Sequence, residues 1–111
     1  MRKTEIVRKI DAYLRKHKLN HDTRIYFNDK AWAYNSNGEK SVLEEVKGSD
    51  YFQYANDDTI SMSFEGGLFN VLNAYRNDWV VLQDEFVKLF DEYDCWYELG
   101  NAWNLSVYED I

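Results

Sequence analysis

Proline is absent from this chain and cysteine occurs once. The lone thiol, Cys95, excludes an intramolecular disulfide and fits a reducing compartment. With no proline and only five glycines, the turns fall to Asn, Asp and Ser. These stand at intervals along the chain: Asn28-Asp29, Asn35-Ser36-Asn37-Gly38, Gly48-Ser49-Asp50, Asn56-Asp57-Asp58, Gly66-Gly67, Asn77-Asp78 and Gly100-Asn101. No apolar run approaches the roughly 18 residues of a membrane span, so no membrane association is expected. Arg2 and Lys3 are followed by Glu5, Arg8, Lys9 and Asp11, which leaves no room for the apolar stretch of a signal peptide. Basic residues are scarce in one part only. Residues 48–111 hold Arg76 and Lys88 against thirteen Asp and Glu, a net of −11, whereas residues 1–47 carry a net of +4. The expectation is one cytoplasmic domain over residues 1–111, with surfaces of opposite sign.

Aromatic residues, by contrast, are plentiful: four Trp, nine Tyr and six Phe. Large rings bury much area per residue and can build a core in a short chain, with some left for an interface. Residues 3–18 read as an amphipathic helix, with Ile6, Ile10, Tyr13, Leu14 and His17 at spacings of three and four. Its basic last turn, Arg15 to Lys18, suits the helix dipole, which explains much of the N-terminal charge locally. Period-two patterns then predict strands at 23–28 and 31–35 around Asn28-Asp29-Lys30, and a third at 40–46. Another hairpin is expected from 51–55 and 59–65 across Asn56-Asp57-Asp58. In it Ile60, Met62 and Phe64 alternate with Ser61 and Ser63. Leu68 to Asn73 suggests a short helix. A longer one should follow, with Asn77 or Asp78 as N-cap and a stripe through Leu82, Phe86, Leu89, Phe90 and Tyr93. Residues 96–99 and 102–108 flank Gly100-Asn101 as a last hairpin. The fold class is therefore α+β: an antiparallel sheet of about five to seven strands, with the N-terminal helix and two helices of the C-terminal half packed on it.

Residue chemistry does not point to catalysis. His17 and His21 are four apart, a spacing that can hold a metal on a helix. The helix should end near Leu19-Asn20, however, and no Glu follows the first His, so they read as a helix-end and a loop histidine. Asp57-Asp58 and Asp91-Glu92-Tyr93-Asp94 lack the ligand pattern of a calcium loop. Asp94 and Glu92 beside Cys95 raise a thiol pKa, so Cys95 reads as a packing residue next to Trp96. Gly66-Gly67 is too short to cradle a phosphate. No catalytic residue, metal or cofactor is assigned. The basic helix could meet phosphates, but acids are interleaved with it and the whole chain is at −7, so direct nucleic-acid binding is disfavoured. The acidic part has two readings, a solvated face or a docking surface whose field speeds encounter with a basic groove.

In general character the chain resembles small, acidic, cysteine-poor α+β inhibitors encoded by phages against bacterial defence, of the anti-CRISPR and anti-restriction type. Small immunity proteins that neutralise bacterial toxins look similar. The resemblance rests on composition and on runs such as Asp84-Glu85 and Asp91-Glu92-Tyr93-Asp94, and carries no signature motif. It implies a non-enzymatic inhibitor in the cytoplasm of the host bacterium, occupying the basic nucleic-acid groove of a protein partner such as a CRISPR effector nuclease. The contact would come from Asp57, Asp58, Asp84, Glu85, Asp91, Glu92 and Asp94, with Trp79, Trp96 and Trp103 as anchors. The alternatives are an immunity protein for a toxin nuclease, or a nucleic-acid-binding regulator acting through the basic helix. A homodimer through an exposed aromatic sheet face is also allowed.

Overall fold

Ile6, Val7, Ile10, Tyr13 and Leu14 recur on one side of the first helix, and all five are buried, so α1 (Lys3–Lys16) lies with that stripe against the core. It ends in a Schellman motif. The Leu19 amide donates to Leu14 O at 2.7 Å and the Lys18 amide to Arg15 O at 3.2 Å, while Lys18 sits at φ 56, where glycine is usual. This turn stops the helix two residues short of the predicted end and buries Leu19. The computed structural model describes residues 1–109.

β1 (Thr23–Phe27) and β2 (Lys30–Tyr34) form a hairpin closed by Asn28 and Asp29 alone, both at positive φ (51° and 58°), the mirror-image turn that matches strand twist. The loop is thus one residue shorter than expected. β3 (Lys40–Glu44) follows a turn organised by Asn35, whose side-chain oxygen accepts the amides of Asn37 and Glu39. Glu45, at φ 55, ends this strand two residues early.

The expected hairpin at 51–55 does not form. Those residues make turns, after a 3-10 turn at Gly48–Asp50, and the chain from 45 to 60 crosses the back of the sheet as a strap before entering β4 (Ser61–Phe64). The aromatic content that suggested a strand serves as a cover instead. Phe52 packs on Tyr26 and Ala31, with Trp103 edge-on to it at 5.7 Å. Polar groups pin the strap. Asn56 Nδ2 donates to Val107 O at 3.0 Å, and the Asn56 amide reaches the hydroxyls of Ser61 and Ser106. Ser61 and Ser106, on the polar side of the alternation, are therefore buried rather than solvated.

α2 (Gly67–Leu72) ends in a second Schellman motif with Ala74 at φ 62. α3 (Trp79–Asp91) has Asp78 at its N-cap position as expected, but that carboxylate pairs with Arg76 at 2.6 Å instead of capping the helix. β5 (Cys95–Asn101) and β6 (Asn104–Glu109) complete the sheet. Their turn is Ala102-Trp103, not Gly100-Asn101, because the Asn101 side-chain oxygen accepts the Trp103 amide and the Asn104 side chain, both at 2.9 Å. Gly100 falls at an irregularity in β5, where an added Cβ would come within 2.4 Å of Asn104 Oδ1.

The sheet is fully antiparallel in the order β3-β2-β1-β4-β6-β5, with β1 to β4 in Greek-key arrangement. The three helices cover one face, over a core that includes Ile25, Met62, Phe64, Phe86, Phe90, Leu105 and Val107. The class is α+β, as the residue pattern implies. Among the described residues, no helix is long and apolar enough to cross a membrane.

Candidate partner-binding surface

Leu82, Phe86 and Phe90 anchor α3 to the core, so its period turns Asp84 and Asp91 outward. The two charge populations that are separate in sequence meet where α1 packs on α3. Glu85 takes Lys16 Nζ at 3.1 Å and His17 Nε2 at 2.6 Å, and the bond to His17, with that to Lys16, holds its carboxyl below the usual range. Asp84 pairs with Lys88 at 2.9 Å. Asp11, on α1 itself, takes Arg15 at 3.1 Å and the Tyr34 hydroxyl.

The other chosen acids lie elsewhere, and the register brings them together. The Val107 amide donates to Ile60 O at 2.8 Å and Cys95 stands opposite Glu109, so the Asp57-Asp58 turn, Asp94 and the end of α3 share one end of the sheet. Asp57 accepts the Ser49 amide at 3.2 Å and the Ser49 hydroxyl. Asp58, Asp91, Glu92 and Asp94 are exposed. Among the described residues none of these five forms an ion pair. Two of them act on Cys95, whose thiol is pushed up to about 11 by burial first, then by Glu109, Asp91 and Asp94. Its Sγ donates to Phe90 O at 3.3 Å.

The three tryptophans separate by role. Trp103 packs on Phe52 in the strap and Trp79 is half-buried, whereas Trp96 is 41% exposed on β5, stacked on Tyr108. The histidines also have separate partners. His17 holds Glu85, and His21 Nε2 accepts the Gly67 amide at 2.9 Å. Among the described residues no group of three or more His, Cys, Asp or Glu is arranged to hold a metal ion.

Two kinds of feature are not visible in the sequence. One is a cleft of about 430 Å³ on the back of the sheet, where Arg24 lies 5.3 Å over the Tyr51 ring and reaches the Tyr26 hydroxyl, with Asp22, Glu65, Ser63 and Trp103 around it. It needs β1, β4, the strap and the last turn at once, so no local pattern signals it. The other is a pair of hollows along β5. Val87, Phe90, Asp91, Trp96 and Tyr97 line one of about 250 Å³ on the helix side. Tyr54, Glu98, Leu99, Gly100 and Tyr108 line one of about 290 Å³ on the strap side. Comparison of the chain with protein-family models, with curated proteins and with solved structures finds no match in any of the three.

Proposed function

We propose that the protein is a non-enzymatic inhibitor that docks its acidic end into a basic, nucleic-acid-binding groove of a partner protein such as a CRISPR effector nuclease. The observation that carries this reading is the gathering of Asp57, Asp58, Asp91, Glu92 and Asp94 at one end of the molecule with no ion pair to any of them among the described residues, beside the exposed Trp96. An uncompensated acidic end costs stability through self-repulsion, and it speeds encounter with a groove of opposite sign. Asp84 and Glu85 are engaged within the molecule and stand at the margin of this surface. Direct nucleic-acid binding by α1 has less support, since Arg2, Arg15 and Lys16 pair with Glu5, Asp11 and Glu85 and leave Arg8 and Lys9 as its exposed cations without an ion pair among the described residues. The buried single thiol fits action in the cytoplasm of a host bacterium, as expected of a phage product.

The test is inhibition of target-DNA binding by guide-loaded CRISPR effector nucleases in a mobility-shift assay. Wild-type protein should compete at low salt and lose potency as salt rises. A variant with Asp57, Asp58, Asp91, Glu92 and Asp94 all changed to Lys should lose the inhibition while keeping its circular-dichroism spectrum. Inhibition at wild-type potency by that folded variant rejects the acidic end as the contact.

A further inference from the structure

We propose that the outer edge of β5 is a strand-addition site, and that its occupant is an extended segment of a partner protein with long basic side chains on both of its faces. The proposal rests on the reading above in one respect only, the basic character of the partner.

Among the described residues nothing pairs with either edge of the sheet, but the two edges are built differently. β3 has charge at both ends, Lys40 and Glu44, and the left-handed residue Glu45 bends the chain away directly after it. Such features keep an edge from pairing with other chains. β5 is longer, seven residues with an irregularity at Gly100, and among the described residues it pairs with β6 alone. Its one charged residue is Glu98, and both Trp96 and Leu99 are more than 40% exposed. The regular stretch from Cys95 to Leu99, short of the irregularity at Gly100, offers a row of backbone donors and acceptors to an incoming strand.

What identifies the occupant is the pair of hollows. A strand laid along β5 points successive side chains to opposite faces of the sheet. On one face they meet the hollow between α3 and β5, and on the other the hollow between β5 and the strap. Each hollow has apolar or aromatic walls and one carboxylate: Asp91 with Val87, Phe90 and Tyr97, and Glu98 with Leu99, Tyr54 and Tyr108. Neither carboxylate has an ion-pair partner among the described residues. A Lys or Arg side chain fits both demands, its stem on the apolar wall and its head group on the acid. Two adjacent basic residues in the added strand would fill both hollows together.

Tyr54 gives an independent indication. It is 76% exposed and held at φ 64, a conformation unfavourable for a bulky side chain, while the Ser106 hydroxyl donates to its carbonyl at 3.0 Å. Its side chain lines the strap-side hollow, where an added strand would meet it. A second copy of this chain is the less suitable occupant, since it would bring two −7 molecules together along their acidic margins.

The experiment is an NMR titration of the protein with an acetylated, amidated heptapeptide carrying Arg-Lys at its centre and Val and Thr on either side. The same peptide N-methylated at alternate amides serves as the control. The parent peptide should shift Trp96, Tyr97, Glu98 and Leu99 saturably and slow amide exchange along 95–101. The N-methylated peptide keeps charge and side chains but loses backbone pairing, and should bind about tenfold more weakly or worse. The D91K/E98K variant, changed only at exposed positions, should fold and lose the peptide. Equal binding of the two peptides overturns strand addition and leaves an acidic surface that attracts cations without it. Unchanged β5 amides with every peptide overturn it too, as would β5 amides already protected in a concentration-dependent dimer. Full binding to D91K/E98K overturns the basic occupant and, with it, the link to the function proposed above.

Discussion

At Cys95, burial and charge act in the same direction. The side chain is 3% exposed, its thiol is hydrogen-bonded to Phe90 O, and three carboxylates oppose its ionisation. The native thiol should therefore be inert to a disulfide reagent near pH 8 and react at an ordinary rate once the chain is unfolded in urea. Because the folded pKa lies above the ordinary thiol value of 9.0, the contribution to stability is complete below that value and lost as pH rises through about 11. Urea midpoints on the alkaline limb should fall more steeply for the wild type than for Cys95→Ala. Of the two acids that precede the cysteine in sequence, Asp94 contributes to this shift and Glu92 does not, and burial is the larger cause. Asp91 and Glu109, which share the effect, became neighbours only through the helix end and the β5–β6 register.

At the scale of elements, the scarcity of glycine has a measurable outcome. Among the described residues, eight other than glycine hold positive φ, including Lys18 and Ala74 at the ends of α1 and α2. Each occupies the position of a Schellman motif where a Cβ is unfavourable. Lys18→Gly and Ala74→Gly should each raise stability by about 0.5–1 kcal/mol in urea unfolding, the relief of the left-handed strain exceeding the added freedom of the unfolded chain. A loss of stability would mean that the lost side chains matter more than the backbone. Elements with strong local periodicity were legible in sequence: α1, α3, the Asn28-Asp29 hairpin and β4. The strap was not. Tyr51, Phe52 and Tyr54 have strand-like composition, and only the cover they form over Tyr26 and Ala31 shows why they do not pair. The last turn lies two residues beyond Gly100-Asn101 because Asn101 directs it through its side chain, while the glycine beside it serves close approach to Asn104.

For the whole molecule, the +4 and −11 portions of the sequence are not two ends of a body, because α1 lies against α3 and joins them through Glu85. The folded Glu85 carboxyl is held below its ordinary value of 4.5, so its contribution is present above that value and lost as pH falls through the lowered one. Glu85→Gln should cost about 0.5 kcal/mol near neutrality, the scale of an exposed pair, and nothing in strong acid, as read from urea midpoints at the two pH values. An equal cost at both would assign the effect to packing. The acidic character of the candidate surface was legible from composition; which acids stay unpaired was not, since that depends on how two helices far apart in sequence dock. The strand order has a further consequence, for the sequence of events during synthesis. β5 is made before β6, yet β6 is the strand that separates it from β4. A growing chain that has completed β5 leaves the inner edge of β4 and both sides of β5 unpaired until β6 follows. Premature pairing between those edges is the misfolding hazard of this topology, and the two-residue turn at Ala102-Trp103 shortens it by delivering β6 directly after β5.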